Sequence, residues 1–373
     1  KIRYSFGVAG NDRITSMMWT TKWITDSTTQ YGVGNTLHAA LKPNTLGNRN
    51  LKWETTISNN LGIDMGFFDN RLNITVDYYY NKVKDLLLSA TLPANAGFSD
   101  VYKNVGSTRN SGFEFVVDGT LISTKDITWT AGFNISFNRS KVLALQDGTD
   151  IMYGSPKLST SGPANEYLVK VGQPLGQLYG YVYDGWYTAD DFVEGSYNSA
   201  GNTWTLKEDV VQNSTAVARP GYIKFKNMTD GDKVIDSDDM TVIGNTAPKH
   251  FGGFNTSFRY KSFDLTAAFN WSYGNDIYNA TKIQLYDGTP KETNLSADFA
   301  NAYTLLDDSG NIITSLSELN TRNAKATMYS PYLGSPILHS GLIEDGSFLR
   351  LNNLTIGYTF PQKWTKVIGL NKA

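Results

Sequence analysis

The longest regular feature of this sequence is an alternation of apolar and polar residues from residue 51 to residue 81. Every second residue is mostly apolar up to Phe67, and the pattern resumes after Phe68, Asp69 and Asn70. A period of two is the side-chain repeat of a β-strand, and two such runs joined by a tight break predict an antiparallel hairpin. One face of that hairpin is apolar and the other is polar.

The length of the two runs separates membrane strands from ordinary ones. Strands of globular proteins usually have about 5–6 residues, whereas a tilted strand that crosses a bilayer needs roughly 9–11. Both runs reach that length, and their apolar face carries aromatic residues near its ends at Trp53, Phe67, Tyr78 and Tyr80. Aromatic girdles at both interfaces are typical of membrane barrels. A soluble hairpin packed on a protein core is the alternative that the hairpin alone leaves open.

Composition narrows the class further. Only 18% of the residues are charged, against about 25% in soluble domains. The net charge of −2 and the lack of a basic stripe argue against nucleic acid as a partner. No run approaches the roughly 20 apolar residues of a membrane helix, so a membrane role requires strands closed into a barrel. Without cysteine, the chain has no disulfide framework and no thiol chemistry.

The same alternation predicts eight strands. They lie at residues 2–8, 51–67, 72–81, 108–122, 127–138, 250–260, 263–273 and 347–360. Short breaks at 68–70, 123–126 and 261–262 alternate with long connections at 10–50, 84–107, 146–249 and 275–346. Loops beyond about 12–15 residues are uncommon in compact domains, whereas outer-membrane barrels have short periplasmic turns and long extracellular loops. We therefore predict an all-β fold, an antiparallel transmembrane β-barrel. The excursion at 146–249 is expected not to cross the membrane.

Several segments resemble the C-terminal half of the SusC/RagA-type TonB-linked outer-membrane transporters of the Bacteroidota, in the right order over most of 51–360. They read LKWET at 51–55, GFFDNRL at 66–72, DYYYNK at 77–82, DLL at 85–87, NVG at 104–106, NSGFE at 110–114, NRSKV at 138–142, GQPLG at 172–176, YGY at 179–181, GYIKF at 221–225, IDSDD at 235–239, VIGN at 242–245 and DGSFLRLNN at 345–353. The ordered set, rather than any single motif, carries the resemblance.

The resemblance implies a barrel of about 22 strands filled by an N-terminal plug, located in the cell outer membrane as a multi-pass protein. It also implies a SusD-like surface lipoprotein as a lid and the TonB system as the source of energy, with an oligosaccharide or peptide as substrate and no enzymatic activity. Residues 1–373 are then expected to be the C-terminal part of the barrel, with 146–249 and 275–346 as large extracellular loops. The plug domain and the last strands are expected to be absent from this chain.

Two alternatives stay open at this point. A SusC-like barrel can serve as a structural scaffold in an outer-membrane complex without transport. A soluble β protein that binds carbohydrate is the other alternative, and it predicts that protein buries the apolar face. Representative residues of that face are Ile74, Val76, Phe133, Phe269 and Ile356.

An acidic segment is the one candidate metal site. Its carboxylates are Asp230, Asp232, Asp236, Asp238 and Asp239. Calcium takes six to eight oxygen ligands, and calcium loops space carboxylates every second residue before a glycine. Here Gly231 precedes Asp232 and breaks that spacing. The prediction of calcium therefore competes with an Asp-rich turn that is satisfied by its own backbone amides.

Other candidate residues give weaker signals. Loop aromatics can stack on sugar faces or pack the loops together: Trp186, Tyr187, Trp204, Tyr329 and Tyr332. Acidic residues at predicted lumen positions are Glu54, Asp64, Asp77 and Glu114. They can line a passage, or they can simply be solvated or bonded to a plug. The three histidines (His38, His250 and His339) are far apart and lack metal-ligand spacing. Without a nucleophile elbow, phosphate loop or zinc motif, we predict no catalytic residue and no cofactor beyond the predicted calcium.

Overall fold

The computed structural model describes most of the chain. The described residues are 1–12, 17–34, 36–92, 94–98, 100–145, 151–154, 166–213, 218–229, 231–286, 294–330 and 337–369. Within them the chain forms twenty strands and three short α-helices. No helix in these ranges is long and apolar enough to cross a membrane.

The strands follow the chain as β1 to β20. They are β1 (Ile2–Asn11), β2 (Lys22–Val33), β3 (Thr36–Thr45), β4 (Glu54–Phe67), β5 (Leu72–Thr91), β6 (Asp100–Ser123), β7 (Ile127–Ala144), β8 (Ile151–Gly154), β9 (Tyr167–Lys170), β10 (Gln177–Gly180), β11 (Tyr183–Trp186), β12 (Gln212–Asn213), β13 (Ile223–Phe225), β14 (Val234–Ile235), β15 (Thr241–Asn245), β16 (His250–Tyr260), β17 (Phe263–Tyr273), β18 (Asp276–Tyr278), β19 (Ile343–Asp345) and β20 (Phe348–Tyr358). The α-helices are α1 (Ala280–Tyr286), α2 (Leu316–Arg322) and α3 (Gln362–Thr365). Short 3₁₀ helices lie at Ala94–Ala96, Ala189–Asp191, Ser237–Asp239, Ala297–Asn301, Ser340–Leu342 and Lys366–Ile368.

One large sheet contains all eight strands that the alternation predicts. Its order is β1-β4-β5-β6-β7-β16-β17-β20, and every neighbouring pair is antiparallel. In the described part of the chain, the edge strands β1 and β20 are not paired with each other. The sheet is therefore an open segment of a larger barrel rather than a closed eight-stranded one.

Pairing register sorts the side chains of this sheet onto two faces. One row across four strands reads Leu61, Tyr78, Phe113 and Phe137, and the adjacent row reads Asn60, Tyr79, Gly112 and Asn138. Because successive residues of a strand point to opposite faces, the first row lies on the apolar face and the second on the polar face. Most residues of the other strands follow this division, although the register places Phe251 beside Ser136 on the polar face.

The apolar face of the sheet is not covered by protein in the described structure. Ile2 on β1 is 75% exposed and Ile356 on β20 is 74% exposed. None of the five residues that a soluble protein should bury is buried, and Phe133 remains 37% exposed even in the middle of the sheet. A soluble protein would bury such a face in its core, so the exposure of these residues disagrees with the soluble alternative.

Tight turns connect the sheet at one end, as predicted. The break after β4 consists of Phe68, Asp69 and Asn70, all with positive φ between 54° and 62°, the left-handed conformation that tight hairpins use. The turn between β6 and β7 is closed by a hydrogen bond of 2.8 Å from Thr124 N to Ile127 O. Lys261, with φ of 50°, makes the third turn.

The prediction of a long loop at 84–107 is wrong. Strands β5 and β6 continue through most of it and stay paired from Leu86–Gly106 to Thr91–Asp100. A bulge at Asp85, whose φ is +57°, interrupts the alternation that the sequence pattern relies on. Such an extra residue shifts the register without ending the pairing, so the real connection spans only residues 92–99.

Residues 10–50 also hold more structure than predicted. The chain that connects β1 to β4 contains strands β2 and β3, which form a separate antiparallel hairpin. Apolar side chains on this hairpin are exposed, among them Trp23, Leu37 and Leu41.

The two longest excursions fold together at the loop end of the sheet. We call the described residues within 151–245 and 276–345 the loop body. It contains small sheets of two to four strands, and its core includes Tyr187, Phe192, Phe225 and Leu319, which are at most 1% exposed. Its strands, at most five residues long, are too short to cross a bilayer. Because β7 and β16 are direct antiparallel neighbours, the first excursion leaves and returns at the same end.

Candidate functional site

An aromatic pocket in the loop body is a candidate site among the described residues. Its volume is about 340 Å³, and it collects residues from distant parts of the chain. The lining consists of Tyr183, Lys282, Tyr286, Asp298, Thr327, Met328, Tyr329, His339, Gly341 and Leu342. We call this the loop pocket. Clefts with aromatic walls and a few converging polar groups are typical of ligand sites.

Rings form the walls of the loop pocket. The ring centroids of Tyr183 and His339 lie 5.3 Å apart, and those of Tyr183 and Tyr329 lie 6.3 Å apart in an edge-on arrangement. Tyr286 meets Tyr329 edge-on at 6.5 Å. These separations fall in the range where aromatic pairs stabilise one another, so the rings contribute to holding the wall together.

His339 is a neutral member of that wall. Its side chain is 4% exposed, and burial, together with the charge of Lys282, lowers its pKa to about 4. Its Nδ1 accepts a hydrogen bond of 3.2 Å from Gly341 N. A neutral imidazole with Nδ1 as acceptor carries its proton on Nε2, so the ring presents a polar donor without a charge.

One side of the loop pocket is anionic. Tyr286 donates a hydrogen bond of 2.6 Å to Asp298 Oδ2, and this bond is the main reason that the pKa of Asp298 is lowered. Burial and the same interaction raise the pKa of Tyr286 to about 12. At neutral pH the phenol therefore stays protonated and Asp298 stays charged.

Lys282 supplies the cationic side. Its Nζ donates to Gly341 O at 3.1 Å and lies 5.5 Å from the ring centroid of Tyr286. Glu344 is 3.9 Å from the same nitrogen. The loop pocket thus offers aromatic faces between an ammonium and a carboxylate. This combination can hold a ligand with a flat apolar face and polar edges, such as a sugar ring or a peptide.

The loop aromatics named by the sequence divide between packing and the pocket. Tyr187 and Trp204 are buried in the core of the loop body, and Trp186 packs against it. Tyr329 is part of the core and also lines the loop pocket. Tyr332 lies outside the described residues. The sequence missed most of the pocket, because its residues are spread over more than 150 positions with no shared motif.

A second group of polar residues lies on the polar face of the main sheet. Arg3 Nε is 2.7 Å from Asp64 Oδ2, and Arg3 Nη2 is 3.1 Å from Asp77 Oδ2. A Cβ on Gly62 would come within 2.6 Å of the guanidinium, so glycine leaves the space that the ion pair occupies. Glu114 is the register partner of Asp77 and lies on the same face.

The other predicted lumen residue has a local role. Glu54, at the start of β4, accepts hydrogen bonds from Leu87 N at 3.0 Å and Asn11 Nδ2 at 2.9 Å. It therefore ties the loop ends of β1, β4 and β5 together.

The acidic segment is satisfied by backbone amides where the structure describes it. Asp239, which is buried, accepts from Met228 N, Thr229 N and Asp236 N at 2.7–2.9 Å. Burial alone would raise the pKa of Asp239, but these amide hydrogen bonds outweigh it and lower that pKa. Asp236 caps the 3₁₀ helix by accepting from Asp238 N at 2.8 Å.

Calcium binding stays a prediction. Asp230 lies outside the described residues, and Asp232 accepts from Val234 N at 3.2 Å. Among the described residues, no group of three or more His, Asp or Glu side chains is arranged to hold a metal ion. His38, on the β2–β3 hairpin, His250, at the start of β16, and His339 lie in three different parts of the fold.

An antiparallel sheet with an uncovered apolar face, tight turns at one end and a folded loop body at the other defines a segment of a transmembrane β-barrel. The family described as TonB dependent receptor-like, beta-barrel, matches residues 24–371. The chain belongs to this family, whose members are outer-membrane transporters rather than enzymes.

Curated relatives and solved structures agree with this family. TonB-dependent receptor P3 of Formosa agariphila is 31% identical over 370 residues, which are 99% of this chain and 33% of the relative. TonB-dependent receptor SusC of Bacteroides thetaiotaomicron is 26% identical over 376 residues, 98% of this chain and 32% of SusC. The structure of the RagAB peptide transporter matches with a TM-score of 0.66 at 24% identity, covering 97% of this chain and 34% of that chain. This chain therefore spans about a third of the length of the relatives it matches.

Proposed function

We propose that this chain is part of the barrel of a TonB-dependent importer that takes up an oligosaccharide or a peptide through the outer membrane. Membership of the TonB-dependent receptor family is the observation that carries the proposal. The loop pocket supports it, because a pocket at the end of the sheet opposite the tight turns would meet an external nutrient first. The similarity to the TonB-dependent receptor SusC and the fold shared with the RagAB peptide transporter are consistent with this proposal.

The proposed mechanism makes and breaks no covalent bond. Ligand binds in the loop body, where Tyr183 and Tyr286 offer ring faces and Lys282 and Asp298 orient polar groups. The TonB system then displaces a plug inside the barrel, and the ligand passes along the polar face of the sheet. A SusD-like surface lipoprotein serves as the lid over the loop body in this proposal.

Ligand capture at the loop pocket is tested with the full-length protein in its own outer membrane. Asp298→Asn removes the charge at the pocket, and we expect ligand affinity and uptake to fall several-fold. Asp308→Asn is the matched control, since Asp308 is an exposed carboxylate of the loop body that pairs with Arg322 at 2.7 Å away from the pocket. Equal uptake by both variants would remove the loop pocket from the proposal.

Energy coupling separates import from a scaffold role. Cells that lack TonB should retain the protein in the outer membrane but lose uptake of its oligosaccharide or peptide. Uptake that continues without TonB contradicts the importer. A protein that is needed for the assembly of an envelope complex, with uptake unchanged by its deletion, would instead be the scaffold.

A further inference from the structure

A row of basic side chains borders the apolar face of the main sheet at its loop end. Register pairs Lys82 of β5 with Arg109 of β6, and Arg109 with Lys141 of β7. We call these three residues the basic row. They share a face with Tyr78 and Phe113, because these lie four positions away along the same strands.

The order of side chains along this face follows the depth of a bilayer. The row of Tyr78 and Phe113 is apolar, the next row toward the loops holds Tyr80 and Ser111, and the basic row comes after it. Aromatic residues such as Tyr78 and Tyr80 are typical of the interface between hydrocarbon and headgroups. The basic row therefore lies at the depth of the headgroups on the cell-surface side.

The basic row brings three cationic residues onto neighbouring strands of one face. Because neighbouring strands are about 4.8 Å apart, the backbones of the three residues are close enough for their long side chains to reach one or two phosphate groups. Arg109 lies 5.8 Å from the ring centroid of Tyr80, which holds its guanidinium against the sheet. The Nε of Arg109 is a buried donor that has no hydrogen-bond acceptor among the described residues.

Carboxylates do not neutralise the basic row where the structure describes the chain. None of the described ion pairs includes Lys82, Arg109 or Lys141. The register partner of Lys82 on β4 is Ile57, and the exposed Lys84 adds a further positive charge on the same face. The acidic Glu114 lies on the opposite, polar face.

We propose that the basic row binds the phosphate groups of anionic lipid headgroups in the outer leaflet. The proposal rests on the outer-membrane placement in the proposed function. A lipid fits better than a protein partner, because a ligand bound at the basic row must also cover the apolar face of the sheet directly below. A lipid does both, with its headgroup and its acyl chains. Arginine can bind a phosphate in a bidentate manner through two parallel charge-assisted hydrogen bonds, and a lysine on either side adds a positive charge.

The test uses the full-length protein purified from outer membranes in mild detergent. Lipid that stays bound is measured by native mass spectrometry for the wild type and for the triple variant Lys82→Gln, Arg109→Gln and Lys141→Gln. The matched control carries Arg71→Gln, Lys125→Gln and Lys261→Gln, which lie at the turn end of the same sheet. We expect bound phosphate-bearing lipid to fall about fivefold for each basic side chain removed from the row, and to stay unchanged in the control.

A second measurement identifies the ligand and keeps the proposal separate from transport. Vesicles of neutral phosphatidylcholine with added phosphatidylglycerol should raise the unfolding temperature of the wild type more than that of the triple variant. Equal lipid retention by the two proteins overturns the proposal. Protection of the wild type by inorganic phosphate alone also overturns it, since a free anion would then be the ligand. Absence of the wild type from the outer membrane would instead overturn the proposed function itself.

Discussion

Tyr286 donates a hydrogen bond of 2.6 Å to Asp298 at the loop pocket, and this one bond couples the aromatic wall to the charge of the pocket. It keeps the pKa of Asp298 below its usual value and the phenol of Tyr286 protonated. In the proposed function, this bond lies where the loop body would meet a ligand first.

Tyr286→Phe should change how the stability of the loop body depends on acid. A carboxyl whose pKa is lowered by folding stabilises the folded state above its unfolded pKa of about 3.9, and the contribution is lost as pH falls through the lower folded value. We expect wild type and Tyr286→Phe to differ in unfolding temperature at neutral pH and to converge at strongly acidic pH. Tyr197→Phe is the control, since Tyr197 donates a hydrogen bond of 2.8 Å to the neutral side-chain amide of Asn202. The effect of Tyr197→Phe on the unfolding temperature should not vary with pH.

His339 should make the loop body acid-sensitive at milder pH. Burial lowers its pKa from 6.5 to about 4, so the unfolded chain binds a proton over that interval and the folded chain does not. Stability is complete above pH 6.5 and falls by about 1.4 kcal/mol for each pH unit below it, down to the folded pKa. His339→Asn keeps an acceptor for Gly341 N but does not titrate. The unfolding temperature of this variant should therefore depend less on pH than that of the wild type between neutral and mildly acidic pH. The exposed His38→Asn should leave the wild-type pH dependence intact.

Gly112 on β6 should not tolerate a side chain. A Cβ there would clash with the ring of Tyr79, which crosses the glycine and donates a hydrogen bond of 2.9 Å to Asn138 Oδ1. Gly112→Ala should cost about 1–3 kcal/mol in unfolding free energy, because the ring and its hydrogen bond must move. Gly7→Ala on β1 is the matched control, as nothing lies within 4 Å of its Cβ. Unfolding of both variants in lipid vesicles measures the difference, and an equal effect would contradict the packing described for Tyr79.

Asp239→Asn should destabilise the loop body even when no metal ion is present. Its Oδ2 accepts from Asp236 N at 2.9 Å, and an amide nitrogen in that position would face another donor. We expect a loss of about 1–3 kcal/mol, measured by unfolding in the presence of a calcium chelator. Asp238→Asn, on an exposed carboxylate of the same turn, should have little effect in chelator. An equal loss in both variants would mean that the amide contacts of Asp239 do not stabilise the turn.

The sequence predicted the sheet well because period-two alternation is a local property. It failed where that property is interrupted: the bulge at Asp85 hid the continuation of β5 past Lys84, and the run from Leu86 to Leu88 does not alternate. It could not find the loop pocket, because Tyr183 and His339 meet only through the fold of the loop body. The composition of the acidic segment allows either a calcium site or a turn, and the amide contacts of Asp239 depend on residues ten positions away.

The central claim is that hydrocarbon covers the apolar face of the main sheet, and two neighbouring residues of β7 test it most directly. Ile135 shares the apolar face with Phe115, whereas Ser136 lies beside Glu114 on the polar face. The measurement is the unfolding free energy of the full-length protein in lipid vesicles. Ile135→Arg should cost about 2–4 kcal/mol near the bilayer midplane, and Ser136→Arg should cost much less. An equal or larger loss for Ser136→Arg would contradict the assignment of the two faces.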